Sequence, residues 1–440
     1  MYVMDDFSLI LGEIGRSADR HEISGRILVG LSGGADSVAL LRGLCELRQE
    51  RGFSVFAVYV NHGLREAAAD EEAFCAELCR RFSVPLVIKR VRVSQCGSPE
   101  AAAREARYQA FREAMGETQA DTLALAHHRN DQAETLLLHL MYGAGSDGLS
   151  GMREYHAHVW RPLLHVSRDT LRGALTILSQ DWREDESNGD TSLTRNAIRA
   201  ELIPAMEKLF PQAVPALGRA AEILGTENDY LNDQTAAWLS AHTPRGDYRF
   251  LPLNDLQSLH PAMQRRALRA YGRSFGLSLL FQHTEALLAL LQSPPGAREN
   301  LPDGWHALRT RDRLHFLPPQ PIVPAVHPED LQTEPFAGDP GDGLRLQAMP
   351  EGLWKSALLR TRQPGDRITP FGMQGSMKLK DYFISKGIDQ PFRDGWPLLC
   401  LGQEVLWVIG VGASERLRYR PDADDQVFVI HYSGRLPDQL

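Results

Sequence analysis

A run of small and polar residues, Ser32-Gly33-Gly34-Ala35-Asp36-Ser37, stands between a short apolar stretch and a stretch with helical periodicity. Its two glycines allow backbone conformations that other residues avoid, and they let main-chain N–H groups approach an anion closely. The first turn of the following helix adds unpaired N–H groups and the positive end of the helix dipole. Hydroxyl groups of Ser32 and Ser37 supply further donors. These residues therefore predict a phosphate-binding loop.

The loop differs from the two best-known nucleotide-binding patterns. It lacks the Gly-Lys-Ser/Thr ending of the common triphosphatase loop, and it lacks the Gly-x-Gly-x-x-Gly pattern of dinucleotide-binding proteins. The pattern therefore excludes those two classes. Taken alone, two glycines between a strand and a helix are also compatible with an ordinary turn.

A second group of chemically active residues, His127, His128, Asp131 and Glu134, lies at the start of a predicted helix. The three-residue spacing from His128 to Asp131 to Glu134 places them on one helix face. Imidazole and carboxylate groups at this spacing are compatible with a zinc site. They are equally compatible with a helix start beside the phosphate loop, capped by Asn130 or Asp131, and this second interpretation is the one we favour.

The first half of the chain alternates short apolar runs with helical stretches. The predicted strands cover 26–31, 53–60, 85–93 and 121–126, and the predicted helices cover 37–49, 71–82, 101–115 and 131–141. Such alternation predicts an α/β, Rossmann-like fold with a parallel sheet covered by helices on both faces. Open sheets of this kind bind ligands at the carboxyl ends of their strands, where both groups of residues lie.

The pattern changes after about residue 211. Amphipathic stretches at 213–239 and 262–291 predict a helical region, a proline-rich stretch predicts a linker, and short strands such as 405–411 predict a small α+β region. We therefore expect four parts along the chain: a catalytic domain at 1–212, a helical domain at 213–320, a linker at 321–343 and an α+β domain at 344–440.

The composition limits the classes of protein. The net charge of −8 gives no general sign of nucleic-acid binding, so any such surface must be local. The sequence has neither a long apolar run nor a secretory leader, and its five cysteines have no disulfide-like spacing. A cytoplasmic protein is the expectation.

The loop resembles the SGGxDS motif of the PP-loop, or N-type, ATP pyrophosphatases, which have the adenine nucleotide alpha hydrolase-like fold. Further motifs follow in order: 60–65 (VNHGLR), 103–108 (AREARY), 126–135 (AHHRNDQAET), 148–152 (GLSGM), 161–164 (RPLL), 185–188 (DESN), 194–199 (TRNAIR), 378–383 (KLKDYF) and 393–399 (RDGWPLL). Together they resemble the tRNA(Ile)-lysidine synthetase family. The sequence departs from the family at Asp389, where proline is usual, and at Met377-Lys378, where a basic pair is usual.

The resemblance implies a two-step ligase reaction. The O2 atom of a cytidine at the wobble position attacks the α-phosphate of ATP and releases pyrophosphate. The ε-amine of free L-lysine then attacks the C2 carbon and releases AMP. The implied RNA partner is tRNA(Ile) with a CAU anticodon, and the implied assembly is a monomer or a homodimer.

The resemblance also implies roles for individual residues. Asp36 and Asp131 are the candidate Mg²⁺ ligands, and Asp131 is also the candidate acceptor for the proton of the lysine amine. Arg107 and Arg199 are candidate catalytic residues that pair with phosphate, with Arg195 as a rival for the second role. Without the resemblance, Arg107 and Arg199 are also compatible with solvated positions on helix surfaces.

The candidate RNA-binding residues lie in the last domain. Residues 355–420 contain eleven Lys and Arg against six Asp and Glu, including Lys378, Lys380 and Arg393. Four aromatic residues are interleaved with them: Tyr382, Phe383, Trp396 and Tyr419. These rings could stack on bases, and the alternative interpretation is an aromatic core beneath a solvated face.

Three other functions remain as alternatives. Thiolation of tRNA by a PP-loop enzyme is disfavoured because no cysteines are spaced for carrying sulfur. Amide ligation of a small molecule would leave the last two domains without a purpose. A binding protein without catalysis is disfavoured because Ser32, Asp36, Arg107, Asp131 and Arg199 are all present.

Overall fold

The computed structural model describes residues 6–61, 68–91, 99–184, 194–243, 249–319, 326–335, 346–388, 390–418, 427–434 and 436. The chain divides into two compact units, Met1–Tyr230 and Leu231–Leu440. Among the described helices, none has the length and apolar character needed to cross a membrane.

The first unit is built on a six-stranded sheet. Its strands are β1 Arg26–Gly30, β2 Ser54–Asn61, β3 Leu86–Arg90, β4 Thr122–Ala124, β5 Tyr155–His156 and β6 Val159–Trp160. The strand order is β3-β2-β1-β4-β6-β5, and every neighbouring pair is parallel except β5 with β6. The predicted parallel sheet and its first four strands are thus confirmed, and the β5–β6 hairpin is an addition.

One face of this sheet is covered by α1 Asp6–Arg20, α2 Ala35–Arg51, α3 Ala68–Phe82 and α7 Arg168–Ile177, and the other by α4 Pro99–Thr118. The other helices are α5 Arg129–Met141, α6 Ser146–Leu149, α8 Thr194–Ala197 and α9 Ile203–Leu209, and a π-helical turn Ile198–Leu202 joins α8 to α9. The boundary between the two units falls inside α10 Ala213–His242. Side chains of β1 alternate between the faces: Ile27 and Val29 belong to one core and Leu28 to another. The period of two in a strand produces this division.

Helix α1 was not predicted from the sequence. Its few apolar residues include Ile10 and Ile14, which are completely buried in the core shared with α2 and α7. Gly43 of α2 leaves the space that Ile14 occupies, since a Cβ atom there would lie 2.6 Å from Ile14 Cδ1. That complementarity between distant residues cannot be deduced from the local pattern.

The second unit begins with helices and an antiparallel sheet. The elements are β7 Phe250–Pro252, α11 Leu253–Ser258, α12 Pro261–Ser274, α13 Phe281–Leu291, β8 Arg298–Asn300, β9 His306–Arg309 and β10 Arg313–Leu317, with sheet order β7-β10-β9-β8. The single helix predicted over 262–291 is therefore two helices. The break follows Phe275, because Gly276 has a φ of +80° that ends the first helix.

The rest of the second unit is α+β, as predicted. Its elements are β11 Leu331–Pro335, β12 Leu346–Pro350, α14 Glu351–Ser356, β13 Leu358–Arg360, β14 Arg367–Ile368, β15 Met377–Lys378, α15 Leu379–Ser385, β16 Leu398–Leu401, β17 Glu404–Val408, β18 Gly412–Ala413 and β19 Val427–Tyr432. The strands form two sheets, β11-β19-β12 and β13-β16-β17-β14-β15, with β18 beside β17. Strand β11 lies within 321–343, so this part of the predicted linker belongs to a sheet.

Candidate active site at the carboxyl end of the parallel sheet

The predicted phosphate loop connects β1 to α2. Gly33 has a φ of +82°, a conformation that favours glycine, and Gly34 is the N-cap of α2. Gly34 has no side chain with which to cap the helix, so the first N–H groups of α2 remain available to an anion. Ala35, the first helical residue, is buried and anchors the loop against the core.

The two serines of the loop stabilise it from within. Ser37 Oγ donates to the carbonyl of Gly34 at 2.9 Å, and Ser32 N donates to Ser37 Oγ at 3.2 Å. The backbone N–H of Arg183 donates to the carbonyl of Gly33 at 2.9 Å. The loop is therefore held in place by its own serines and by the backbone of Arg183.

Asp36 lies in the first turn of α2 with about a third of its side chain exposed. Its Oδ2 atom is 3.4 Å from Nε2 of His128. Its Oδ1 atom is buried and has no hydrogen-bond partner among the described residues. A carboxylate oxygen in this state fits a hard cation such as Mg²⁺, so Asp36 is a suitable ligand.

His128 is the N-cap of helix α5 and connects the loop to that helix. Its Nδ1 atom accepts from Asp131 N at 3.3 Å, and His128 N donates to Asp131 Oδ2 at 3.0 Å. Burial alone would lower the pKa of His128, but the carboxylates of Asp36 and Asp131 raise it above its ordinary value. The N-cap of α5 is His128, so the prediction of Asn130 or Asp131 as cap was wrong. Asp131 is the third helical residue of the capping box, and Asn130 Oδ1 accepts from Arg168 N.

Two carboxylates and two guanidinium groups form an ion cluster beside His128. Arg199 donates to Glu134 at 2.6 and 2.9 Å and to Asp131 Oδ1 at 3.2 Å. Arg195 donates to Glu134 at 3.0 Å and lies 3.5 Å from Asp131 Oδ1. Burial would raise the pKa of Asp131, but the two histidines and Arg195 lower it, so Asp131 stays ionised at neutral pH.

The ion cluster leaves Asp131 without a free oxygen. Oδ1 faces the arginines and Oδ2 accepts from the backbone of His128. Of the two candidate Mg²⁺ ligands, Asp36 therefore fits the ion and Asp131 does not fit it in this arrangement. The geometry therefore distinguishes Asp36 from Asp131 as a metal ligand, which the sequence could not do.

Arg107 differs from Arg199 in its surroundings. It lies on α4 and has no carboxylate partner among the described residues, and its side chain is exposed. Partial desolvation and the nearby cation Arg104 lower its pKa, and Arg195 adds to the effect. Arg104 itself lies over the ring of Tyr108 at 5.0 Å. Arg107 is thus a cation that no carboxylate among the described residues neutralises.

His127 is kept neutral in the core of the site. Its Nδ1 atom accepts from Arg161 Nε at 3.2 Å, and burial lowers its pKa to about 3. The zinc alternative gains no support: within the described part of the chain, three ligand atoms approach one another only at Glu13, Glu154 and His165.

In the second unit, the candidate RNA-binding residues divide into two kinds. Lys378 and Lys380 are exposed at the start of α15, whereas Arg393 donates to the carbonyl of Ile388 at 2.8 Å. The expected stacking rings are in the core: Tyr382 is 3% exposed, Phe383 0% and Trp396 2%. Of the two interpretations offered for these rings, the aromatic core is therefore the one that holds for these three, and they are not available to stack on bases. Tyr419 lies outside the described residues.

Parts of the motifs that carried the resemblance also lie outside the described residues, namely 62–65, 185–188 and Asp389. One member of the site, Glu134, was named in the sequence but not predicted to be functional. Its spacing of three from Asp131 was the available signal. Its ion-pair partners, Arg195 and Arg199, come about sixty residues later, and the sequence does not show which carboxylate they contact.

The sheet and the loop define a PP-loop protein, and the family described as PP-loop domain matches residues 13–206. The TilS substrate binding domain matches 251–315 and the TilS substrate C-terminal domain matches 358–428. The tRNA(Ile)-lysidine synthase of Geobacter sulfurreducens is 33% identical, covering 89% of this chain and 90% of its own. That of Porphyromonas gingivalis strain W83 is 33% identical, covering 93% and 94%. The chain belongs to the tRNA(Ile)-lysidine synthase family.

Proposed function

We propose that this protein ligates free L-lysine to the C2 carbon of the wobble cytidine, position 34, in the CAU anticodon of tRNA(Ile). The reaction forms lysidine, consumes ATP, and releases AMP and pyrophosphate. The observation that carries the proposal is the 3.4 Å contact between Asp36 and His128, which brings the phosphate loop against the ion cluster. Similarity to the family over most of the chain supports the same reaction.

The loop and the unpaired arginine serve the first step. Main-chain N–H groups at the start of α2 bind phosphate oxygens, and Arg107 stabilises the charge that develops as cytidine O2 attacks the α-phosphate. Asp36 would hold Mg²⁺, which neutralises phosphate charge when it is bound. The bond from the α-phosphate to the pyrophosphate oxygen breaks as the new P–O bond forms.

The ion cluster serves the second step. The ε-amine of lysine has an ordinary pKa of about 10.4 and must lose a proton before it attacks. Asp131 and Glu134 attract the ammonium group, and Asp131 accepts its proton. The amine then forms the bond to C2 while the C2–O bond to AMP breaks. An arriving ammonium competes with Arg195 and Arg199 for these carboxylates.

The alternative of tRNA thiolation is less well supported. Sulfur transfer needs reactive thiolates. Burial raises the pKa of Cys45 to about 11 and those of Cys75, Cys79 and Cys400 to about 12. These four cysteines are therefore protonated at neutral pH.

We also propose that residues 1–212 catalyse the reaction and that 213–320 and 344–440 bind tRNA, with Lys378 and Lys380 contacting phosphates. Arg393 is a weaker candidate for this contact because it already donates to a backbone carbonyl. The proposed location is the cytoplasm, where the tRNA substrate is found, and the proposed assembly is a homodimer or a monomer.

The test is incorporation of radiolabelled lysine into a tRNA(Ile) transcript with a CAU anticodon, in the presence of ATP and Mg²⁺. We expect acid-insoluble label that requires ATP. The matched control is the same transcript with uridine at position 34, which should receive none. Equal labelling of both transcripts, or pyrophosphate release without lysine incorporation, would contradict the proposed reaction.

A further inference from the structure

We propose that His128 is a positioning residue that couples the nucleotide side of the site to the lysine side through one imidazole ring. It holds Asp36 through Nε2 and the start of helix α5, with Asp131, through Nδ1. The inference rests on the proposed function, since it assigns Asp36 to ATP and Asp131 to lysine.

The hydrogen-bond pattern determines the tautomer of His128. Because Nδ1 accepts the backbone N–H of Asp131, Nδ1 carries no proton in this arrangement. The neutral ring therefore has its proton on Nε2, which lies 3.4 Å from Asp36 Oδ2. The ring thus faces one residue of the phosphate loop and one residue of the ion cluster, each through a different nitrogen.

Burial protects both contacts of the His128 ring from replacement by water. His128 is only 2% exposed, so water does not readily replace either partner. The separation of 3.4 Å is long for a hydrogen bond, and contacts of this kind often shorten when substrate binds. While His128 holds Oδ2 of Asp36, Oδ1 remains buried and unengaged among the described residues. The ring therefore selects which carboxylate oxygen is left for the nucleotide's cation.

A pair of substitutions separates the two contacts of the ring. His128→Asn keeps an N-cap acceptor for Asp131 N but is too short to reach Asp36. We expect the KM for Mg·ATP to rise about tenfold, as when a hydrogen bond to a charged group is removed, with the KM for lysine changed less than about twofold. His128→Gln reaches further and should restore the KM for Mg·ATP towards that of the unaltered protein, with a lower Tm because the cap is removed.

His260→Asn is the matched control. His260 is the N-cap of α12, its Nδ1 atom accepts from Ala262 N at 3.3 Å, and it is exposed. The same substitution there replaces an imidazole cap that has no carboxylate contact among the described residues, so both KM values should stay the same. An unchanged KM for Mg·ATP in His128→Asn, or equal increases for ATP and lysine, would overturn the positioning role.

A binding measurement distinguishes this inference from the proposed function. Equilibrium titration with Mg·ATP needs neither lysine nor tRNA. Weaker binding to His128→Asn supports the positioning role even if the unaltered protein incorporates no lysine, whereas equal binding contradicts it. Absence of lysine incorporation by the unaltered protein contradicts the proposed function alone.

Discussion

Asp131 carries more contacts than its position on a helix surface would suggest. Both of its oxygens are engaged, one by Arg195 and Arg199 and the other by the backbone of His128. In the proposed reaction Asp131 would therefore exchange a guanidinium partner for the arriving ammonium group, and it would not hold the metal ion.

Asp131→Asn should remove lysine transfer and preserve ATP binding. The amide keeps the size of the side chain and can still accept from His128 N, but it has no charge to attract an ammonium group and is a poor base. We expect no measurable labelled tRNA and a Kd for Mg·ATP within about threefold of the unaltered value, since the phosphate loop is untouched. Asp169→Asn, at an exposed position in the first turn of α7, is the control and should retain full activity.

His127 should make stability depend on pH. Its folded-state pKa of about 3 lies below its ordinary value of 6.5, so the unfolded chain binds a proton first as the pH falls. The stabilisation is complete above pH 6.5 and diminishes progressively as the pH falls towards 3. Between pH 7 and pH 5 this group alone should lower the free energy of unfolding by about 2 kcal/mol.

Urea unfolding at the two pH values tests this expectation. His127→Asn should show a smaller difference between pH 7 and pH 5 than the unaltered protein does. His156→Asn is the control, because His156 is exposed and should leave the difference unchanged. An identical pH dependence in His127→Asn would show that other groups account for the effect.

The sequence predicted the phosphate loop well because every property that it needs is local. Gly33 and Gly34 are recognisable without knowledge of the fold, since the backbone conformations that they permit depend on the residue type itself. The sequence alone could not distinguish the surroundings of Arg107 from those of Arg199. One is unpaired and the other is ion-paired, and that difference depends on where Glu134 lies in three dimensions.

At the scale of elements, the π-helical turn Ile198–Leu202 is the feature with the clearest functional consequence. It inserts an extra residue between α8, which carries Arg195, and α9. Ile198 stays in the core with Ala133 and Leu137, and Arg199 is thereby directed towards Glu134. No local sequence pattern distinguishes such a turn from an α-helix.

Deletion of Ala200 tests the role of the π-helical turn. Removing one residue should replace the wide π-helical turn with a regular α-helical turn and change the direction in which Arg199 leaves the backbone. Arg199 would then move away from Glu134, and we expect lysine incorporation to fall at least about a hundredfold. Ala200→Ser keeps the chain length at the same exposed position and should retain activity. A deletion variant that keeps full activity would show that the turn is dispensable.

Strands and helices were predicted most accurately where they are deeply buried. Strand β1 was expected at 26–31 and runs from Arg26 to Gly30, because its apolar run is uninterrupted. The small sheet β7-β10-β9-β8 was missed within a region predicted as helical. Its strands are three to five residues long, too short for a periodic pattern to be distinguished from the flanking turns.

At the scale of the whole molecule, a net charge of −8 requires that RNA binding be local. Lys378 and Lys380 are exposed and have no carboxylate partner among the described residues. Replacing both with alanine should weaken tRNA binding. The slope of log Kd against log salt concentration should fall by about one for each phosphate that the variant no longer neutralises.

Measurements of tRNA affinity at several salt concentrations test this expectation. The KM for ATP should remain unchanged in the double variant, because the phosphate loop lies in the other unit. Lys355→Ala is the control, since Lys355 is exposed and already pairs with Glu351 at 2.6 Å. An unaltered salt slope in the double variant would exclude these lysines from the RNA-binding surface.

The strand order of the first sheet also determines how the protein can fold during synthesis. Strand β1 pairs with β2 on one side, but on the other side Ile27 pairs with Thr122 of β4. One edge of β1 must therefore stay unpaired until the chain between β1 and β4 has left the ribosome. Exposed edges of apolar strands promote aggregation, so this interval is when the nascent chain is most vulnerable and when a chaperone would help most.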